Sequence, residues 1–116
     1  MYLKPPQDDK KYSWTHHAIE KLRQYNLSAQ RIRRIIKRPK RSEIGVIKEA
    51  IAVMQPQGKG AGNKKWSSEI WVMYVIEKNK STRKRIISCW RYPGVSPVRE
   101  AVPIPDDIME ELKDLI

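Results

Sequence analysis

Residues 28–39 read Ser28-Ala29-Gln30-Arg31-Ile32-Arg33-Arg34-Ile35-Ile36-Lys37-Arg38-Pro39, and this stretch decides the fold. At 100° per residue, Ile32, Ile35 and Ile36 occupy an arc of about 100°, while Arg31, Arg33, Arg34, Lys37 and Arg38 spread over the opposite side. Ser28 is suited to cap the start and Pro39 to stop the end, so the pattern predicts a helix over about 29–38. One side of that helix must find an apolar partner; the other stays cationic.

Towards the N-terminus, a second helical pattern runs from about Thr15 to Tyr25, with Thr15 as its cap and Trp14, Ala18, Ile19, Leu22 and Tyr25 on one side. Asn26 can close it in the left-handed conformation. Two or three residues join the helices, which makes them a helical hairpin. Residues 1–13, with Pro5-Pro6 and many charges, read as a loosely ordered arm.

Towards the C-terminus the period changes. Ile44 to Gln55 reads as one strand, or as two divided at Gly45 or at Lys48-Glu49. Gln57 to Lys65 holds Gly58, Gly60 and Gly62 with three lysines, a flexible basic loop. Glu69 to Glu77 is apolar on both faces and hence a central strand. A turn at Asn79 to Thr82 returns the chain as Arg83 to Tyr92, completing a hairpin. Beyond Pro93-Gly94 come a linker with Pro97, Pro103 and Pro105 and a last helix, capped at Asp106, with Ile108, Leu112 and Leu115 on one side. The expected class is α+β: an N-terminal helical hairpin packed on an antiparallel sheet of three or four strands, plus a C-terminal helix. One domain is expected over 1–116, with its core in 14–92, a Pro-containing linker in 93–105 and an acidic tail helix in 106–116.

Charge narrows the function. The 116 residues hold 24 Lys and Arg against 13 Asp and Glu, a net charge of +11. Residues 106–116 contain five acids and one lysine, which leaves 23 basic and 8 acidic residues, or +15, in residues 1–105. Such an excess repels itself in a compact fold and points to a polyanionic partner, nucleic acid ahead of an anionic membrane surface. The bland alternative is a solvated basic surface. Against it, Arg31, Arg33, Arg34, Lys37, Arg38, Lys40 and Arg41 crowd into eleven residues without one acid, the density that phosphate neutralisation requires. Lys64 and Lys65 beside Trp66, and Lys78, Lys80, Arg83, Lys84 and Arg85 at the hairpin end, form smaller patches of the same kind. Aromatics among cations favour single-stranded RNA over DNA. Strict alternation puts Trp90 and Tyr92 on one face of the last strand and Arg85 and Arg91 on the other, with Trp90 better read as core than as a stacking platform.

Cys89 is the lone cysteine and sits in an apolar run, so it reads as a core side chain in a reducing compartment. His16 and His17 project about 100° apart and cannot chelate one ion together; no metal and no cofactor are expected. Both read as off the apolar stripe, His17 one turn from Lys21, more in keeping with surface histidines than with a general base. Met1 to Lys11 has no apolar segment of the signal-peptide kind, and the longest apolar run, Ile70 to Ile76, is far too short to span a bilayer. A cytoplasmic protein that does not enter membranes is expected.

The order of elements resembles short members of the RelE/ParE-like toxin superfamily, in particular compact two-helix BrnT-type proteins. The matching pieces are His17-Ala18-Ile19-Glu20-Lys21-Leu22, Asn26-Leu27-Ser28, Ile35 through Pro39, Trp71-Val72-Met73-Tyr74-Val75, and Arg85-Ile86-Ile87-Ser88 through Arg91. They cover about residues 14–92. Asn26 stands where many relatives have Gly and Lys21 where they have Arg, and residues 95–116 have no counterpart in the shortest members. The resemblance implies an RNA-directed, toxin-like protein acting on mRNA, including mRNA on the ribosome, with an antitoxin as a protein partner. If it cuts, the reaction is metal-independent: the ribose 2′-OH attacks the adjacent phosphorus, with Arg85 and Arg91 at the phosphate and Tyr92, His17 or Lys84 carrying protons. The alternatives are a non-catalytic RNA- or DNA-binding module of the same fold and a ParE-like inhibitor working through protein contacts, for which +15 has no use. The acidic tail helix either folds back over the basic surface or simply docks on the core.

Overall fold

The structure, a computed structural model, describes residues 4–45, 47–78 and 82–115. Lys80 of the hairpin-end patch and most of the expected 79–82 turn lie outside the described residues, as does the side chain of Leu115. The elements are β1 (Tyr12–Trp14), α1 (His16–Tyr25), α2 (Ala29–Lys37), β2 (Arg41–Ile44), β3 (Ile51–Gln57), β4 (Ser68–Ile76), β5 (Lys84–Pro93) and α3 (Asp106–Leu115).

The two N-terminal helices form as local chemistry dictates, but they do not match the expected helical hairpin in detail: α1 packs along β5, whereas α2 packs on β3 and β4. Thr15 accepts from the Ala18 amide at 3.0 Å and Ser28 from the Arg31 amide at 3.0 Å, each satisfying a free N–H of the first turn. Asn26 closes α1 at φ 55°, a left-handed conformation that asparagine tolerates. Ile32, Ile35 and Ile36 are buried, as their arc predicts. At the far end of α2 the Gln55 amide donates to the Arg38 carbonyl at 2.8 Å, so a side chain from the sheet helps finish the helix that Pro39 ends.

The α+β class holds, but the sheet differs from the expected three or four antiparallel strands. It has five strands in the order β1-β5-β4-β3-β2 and is mixed, because β1 pairs with β5 in parallel, Tyr12 opposite Lys84 and Trp14 opposite Ile86. Residues read as a loose arm are therefore partly built in. Asp8 accepts the Trp14 amide at 2.9 Å and Asp9 the Tyr12 amide at 2.8 Å, which turns the chain into β1. The Ile44–Gln55 region divides at both of its proposed breaks. Gly45 at φ 74° and Lys48 at φ 50° bend the chain between β2 and β3, and β2 begins at Arg41, the last cation of the acid-free run.

Both sheet faces are covered. On one, Ile70, Val72, Tyr74, Ile86 and Cys89 pack with Tyr12, Trp14 and the apolar sides of α1 and α2. On the other, Trp71, Met73, Ile87 and Trp90 pack with Ile108 and Leu112 of α3. The tail helix thus docks on the sheet rather than over α2. The Trp71 and Trp90 rings, paired across β4 and β5, stack with centroids 6.2 Å apart, and Trp90 is wholly buried, so it serves the core. α1 packs most extensively along β5, entering from β1 through the Thr15 amide, which donates to the Ile86 carbonyl.

One irregularity decides which side chains share a face. Met73 pairs with Ser88 but Tyr74 pairs with Ile86, which leaves Ile87 as an extra residue in β5. A bulge of one residue reverses the facing of everything beyond it. Ile86 and Cys89 consequently share the face covered by α1 and α2, while Ile87 and Trp90 share the α3 face.

Candidate nucleic-acid interface

The bulge separates the two arginines that strict alternation had put together. Arg91 stands opposite Ile70 on the face covered by α1 and α2, whereas Arg85 stands opposite Val75 on the α3 face, near the other end of the strand. Tyr92 is half-buried against the α3-side core, and Lys84 is half-buried opposite Tyr12. Arg83 is held by Glu77, with its Nη2 donating at 3.3 Å. The five residues to which the resemblance gave catalytic roles are not gathered around one point.

His17 departs furthest from its expected place. It is 7% exposed, because α3 covers the side of α1 that lies off the apolar stripe. Its Nε2 is 2.8 Å from Ser88 Oγ and its Nδ1 meets the Glu111 carboxylate. Burial pushes its pKa below the usual imidazole value, against the opposing pull of Glu111. The connectivity is that of a serine–histidine–acid relay, yet Ser88 is fully buried, so no substrate reaches it. The three residues act as a clamp between β5, α1 and α3.

What the fold does gather is a different set. Arg31 and Arg34, one turn apart on α2, meet Arg91 of β5 around a cleft of about 320 Å³ that Asn26, Leu27, Ser28 and Gln57 complete. Arg91 is aimed by two contacts: Nη1 donates to the Tyr25 carbonyl at 3.0 Å and Nε to Gln57 Oε1 at 3.2 Å. The Arg31 Nε is buried without a hydrogen-bond partner among the described residues. Burial first, then the like charges of Arg34 and Arg91, lowers the Arg31 pKa. No carboxylate among the described residues lines the cleft. Three guanidiniums facing one space, beside the N-terminus of α2, could hold an anion by composition and by the direction of the helix dipole.

The remaining predicted binding residues divide into two groups. Lys37, Arg38 and Lys40 are exposed along and after α2, and Lys64 and Lys65 are exposed on the 58–67 loop. That loop folds back on itself: Gly58, at φ +75°, lies so close to Ser67 that a β-carbon would stand 2.1 Å from its hydroxyl. The others have internal partners. Arg33 lies over the rings of Tyr12 and Trp14 at 5.9 and 5.8 Å. Arg41 pairs with Glu43, donates to Ser96 Oγ at 3.0 Å and the Glu100 carbonyl at 2.9 Å, and covers Trp71 at 5.2 Å.

Reasoning from sequence missed Asn26 and Gln57 as lining residues and Glu69 altogether. Glu69 is wholly buried, yet it accepts from Trp71 Nε1 at 3.0 Å, Trp66 Nε1 at 3.0 Å and the Ser96 amide at 2.9 Å. Two indoles flanking an acid within six residues were the available signal. No group of three or more His, Cys, Asp or Glu side chains among the described residues is placed to hold a metal ion. No described helix is long and apolar enough to cross a membrane. Comparison with known protein families, with curated proteins and with solved structures returns no match to this chain.

Proposed function

We propose that this protein binds single-stranded RNA, seating backbone phosphate in the Arg31–Arg34–Arg91 cleft and tracking the strand along Lys37, Arg38 and Lys40. The observation that carries the reading is the buried Arg31 Nε, unpartnered among the described residues, in a cleft with two further guanidiniums and no described carboxylate in its lining. Leaving such charges unbalanced is unfavourable unless an anion arrives, and phosphate matches the planar fork of arginine.

The reading keeps the RNA target that the RelE/ParE-like resemblance implies and favours binding without cleavage. Arg85 and Arg91 face opposite ways, and His17 is enclosed, so the groups required for 2′-OH attack do not converge on the phosphate cleft.

Fluorescence anisotropy with a labelled single-stranded RNA across a salt series tests this. Arg31→Ala with Arg34→Ala should weaken binding roughly 10- to 100-fold and flatten the salt slope by about 0.7 per lost phosphate contact. Wild-type affinity in that double variant, in protein shown to be folded, overturns the proposal. The same RNA incubated with the protein in EDTA should remain intact; cleavage would restore the ribonuclease reading.

A further inference from the structure

A second cavity lies at the same end of the sheet, on its other face. β3 ends at Gln57, β4 begins at Ser68 and β5 ends at Pro93, so the 58–67 loop and the turn after Pro93 meet there. Between them is a space of about 440 Å³ walled by Met54, Trp66, Val95 and Val98 and rimmed by Lys40, Lys64 and Lys65, with Asn63 the one side-chain amide on it. No carboxylate among the described residues lines it. Val98 is 78% exposed although it is one of the apolar walls.

The walls are built rather than incidental. Glu69, wholly buried, holds Trp66 by its indole N–H and the 94–98 turn by the Ser96 amide. Arg41 holds the same turn from below, through Ser96 Oγ and, at 3.3 Å, the Pro97 carbonyl. A carboxylate and a guanidinium thus hold an indole and two valines around an opening that no other described residue fills. Such a preset slot avoids much of the ordering cost of binding.

We infer that this slot takes one nucleobase, with the attached phosphate on Lys40, Lys64 and Lys65. The inference rests on the RNA reading above and names a base subsite for it. Charge complementarity chooses the occupant. A flat apolar body fits the indole and valine walls, an anion on that body fits the lysine rim, and the Asn63 amide can read a base edge. The Arg31–Arg34–Arg91 cleft and this slot flank the same sheet end, so one strand crossing that end can place phosphate in the first and a base in the second.

The test uses the full ¹⁵N-labelled chain titrated with AMP, adenosine or octanoate, followed by the Trp66 indole and the amides of Lys64, Lys65, Ser96 and Val98. AMP should move these signals saturably. Adenosine should bind more weakly, and Val98→Asp, at an exposed position, should weaken AMP at least about tenfold. Lys64→Ala with Lys65→Ala should weaken AMP but not adenosine.

AMP signals confined to the residues around Arg31 and Arg91 would overturn the slot. So would adenosine binding as tightly as AMP, octanoate binding more tightly than either, or indifference to Val98→Asp. Two results separate this idea from the phosphate cleft. RNA binding that depends on Arg31 and Arg34 while AMP leaves the slot silent overturns the slot alone. AMP in the slot without RNA binding overturns the RNA reading alone.

Discussion

Lys21 Nζ of α1 donates to Asp107 Oδ2 of α3 at 3.0 Å, joining residues 86 positions apart, although Lys21 is only 6% exposed. One turn along both helices, His17 meets Glu111 in the same antiparallel register. The two pairs hold the acidic tail against α1. Asp107 remains half in solvent, which screens its attraction, so the weight of the pair lies in keeping the buried ammonium partnered. Asp107→Ala should therefore destabilise the protein by about 1–2 kcal/mol, while Lys21→Met, which removes the buried charge, should stay within about 1 kcal/mol of wild type. Urea denaturation of both variants checks this, and a larger loss in Lys21→Met would contradict it.

The same contacts make stability depend on pH in a defined direction. The His17 pKa is lowered by burial, so the unfolded chain binds a proton more readily than the folded one. Its contribution is fully present above the ordinary value of 6.5 and declines as pH falls from there through the folded value. Asp107, held below 3.8 chiefly by its hydrogen bond from Lys21, adds stability that is lost only in stronger acid. The groups around His17 are Ser88, Glu111, Glu20 and Lys21, and none reverses this sign. Urea midpoints should fall between pH 7.5 and 5.5 in the wild type and fall less in His17→Gln.

Glu69→Gln tests the buried carboxylate. A glutamine side chain has one acceptor oxygen where the carboxylate has two, and its amide would face an indole or amide N–H that also donates. The expected loss is about 2–3 kcal/mol, since a buried donor is left without a partner. Near-UV circular dichroism should weaken with it as Trp66 and Trp71 lose their anchor; unchanged stability and spectrum would show the three hydrogen bonds to be dispensable.

Cys89 should be inert in the native protein. It is 1% exposed, and burial pushes its thiol up to about 12, leaving almost no thiolate at pH 8. A thiol reagent at that pH should modify it only as fast as the protein unfolds globally. Rapid labelling without denaturant would mean that β5 opens locally.

Much of the architecture was legible because its signals are local. Ile32, Ile35 and Ile36 with the Ser28 cap specify α2, and the apolar run from Ile70 to Ile76 specifies a strand covered on both faces. β1 was not legible: three residues show no period, and their parallel partner is some 70 positions away. Of the arginine cleft, the α2 half could be read from its acid-free run. The place of Arg91 could not, because the extra residue at Ile87 puts Arg85 and Arg91 on opposite faces, and only Arg91 shares one with α2.

By itself the sequence determined the two N-terminal helices, the cationic side of α2, the β4–β5 pairing and an apolar last helix. Each of these depends on residues within one or two turns or across one tight connection, where periodicity and capping act directly. Only the tertiary structure decided that α3 encloses His17 and Lys21, that Glu69 is a buried anchor and that three guanidiniums from two elements face one cleft. Those outcomes depend on which surfaces meet when distant segments pack, and a single bulge or docked helix changes them without altering any local pattern.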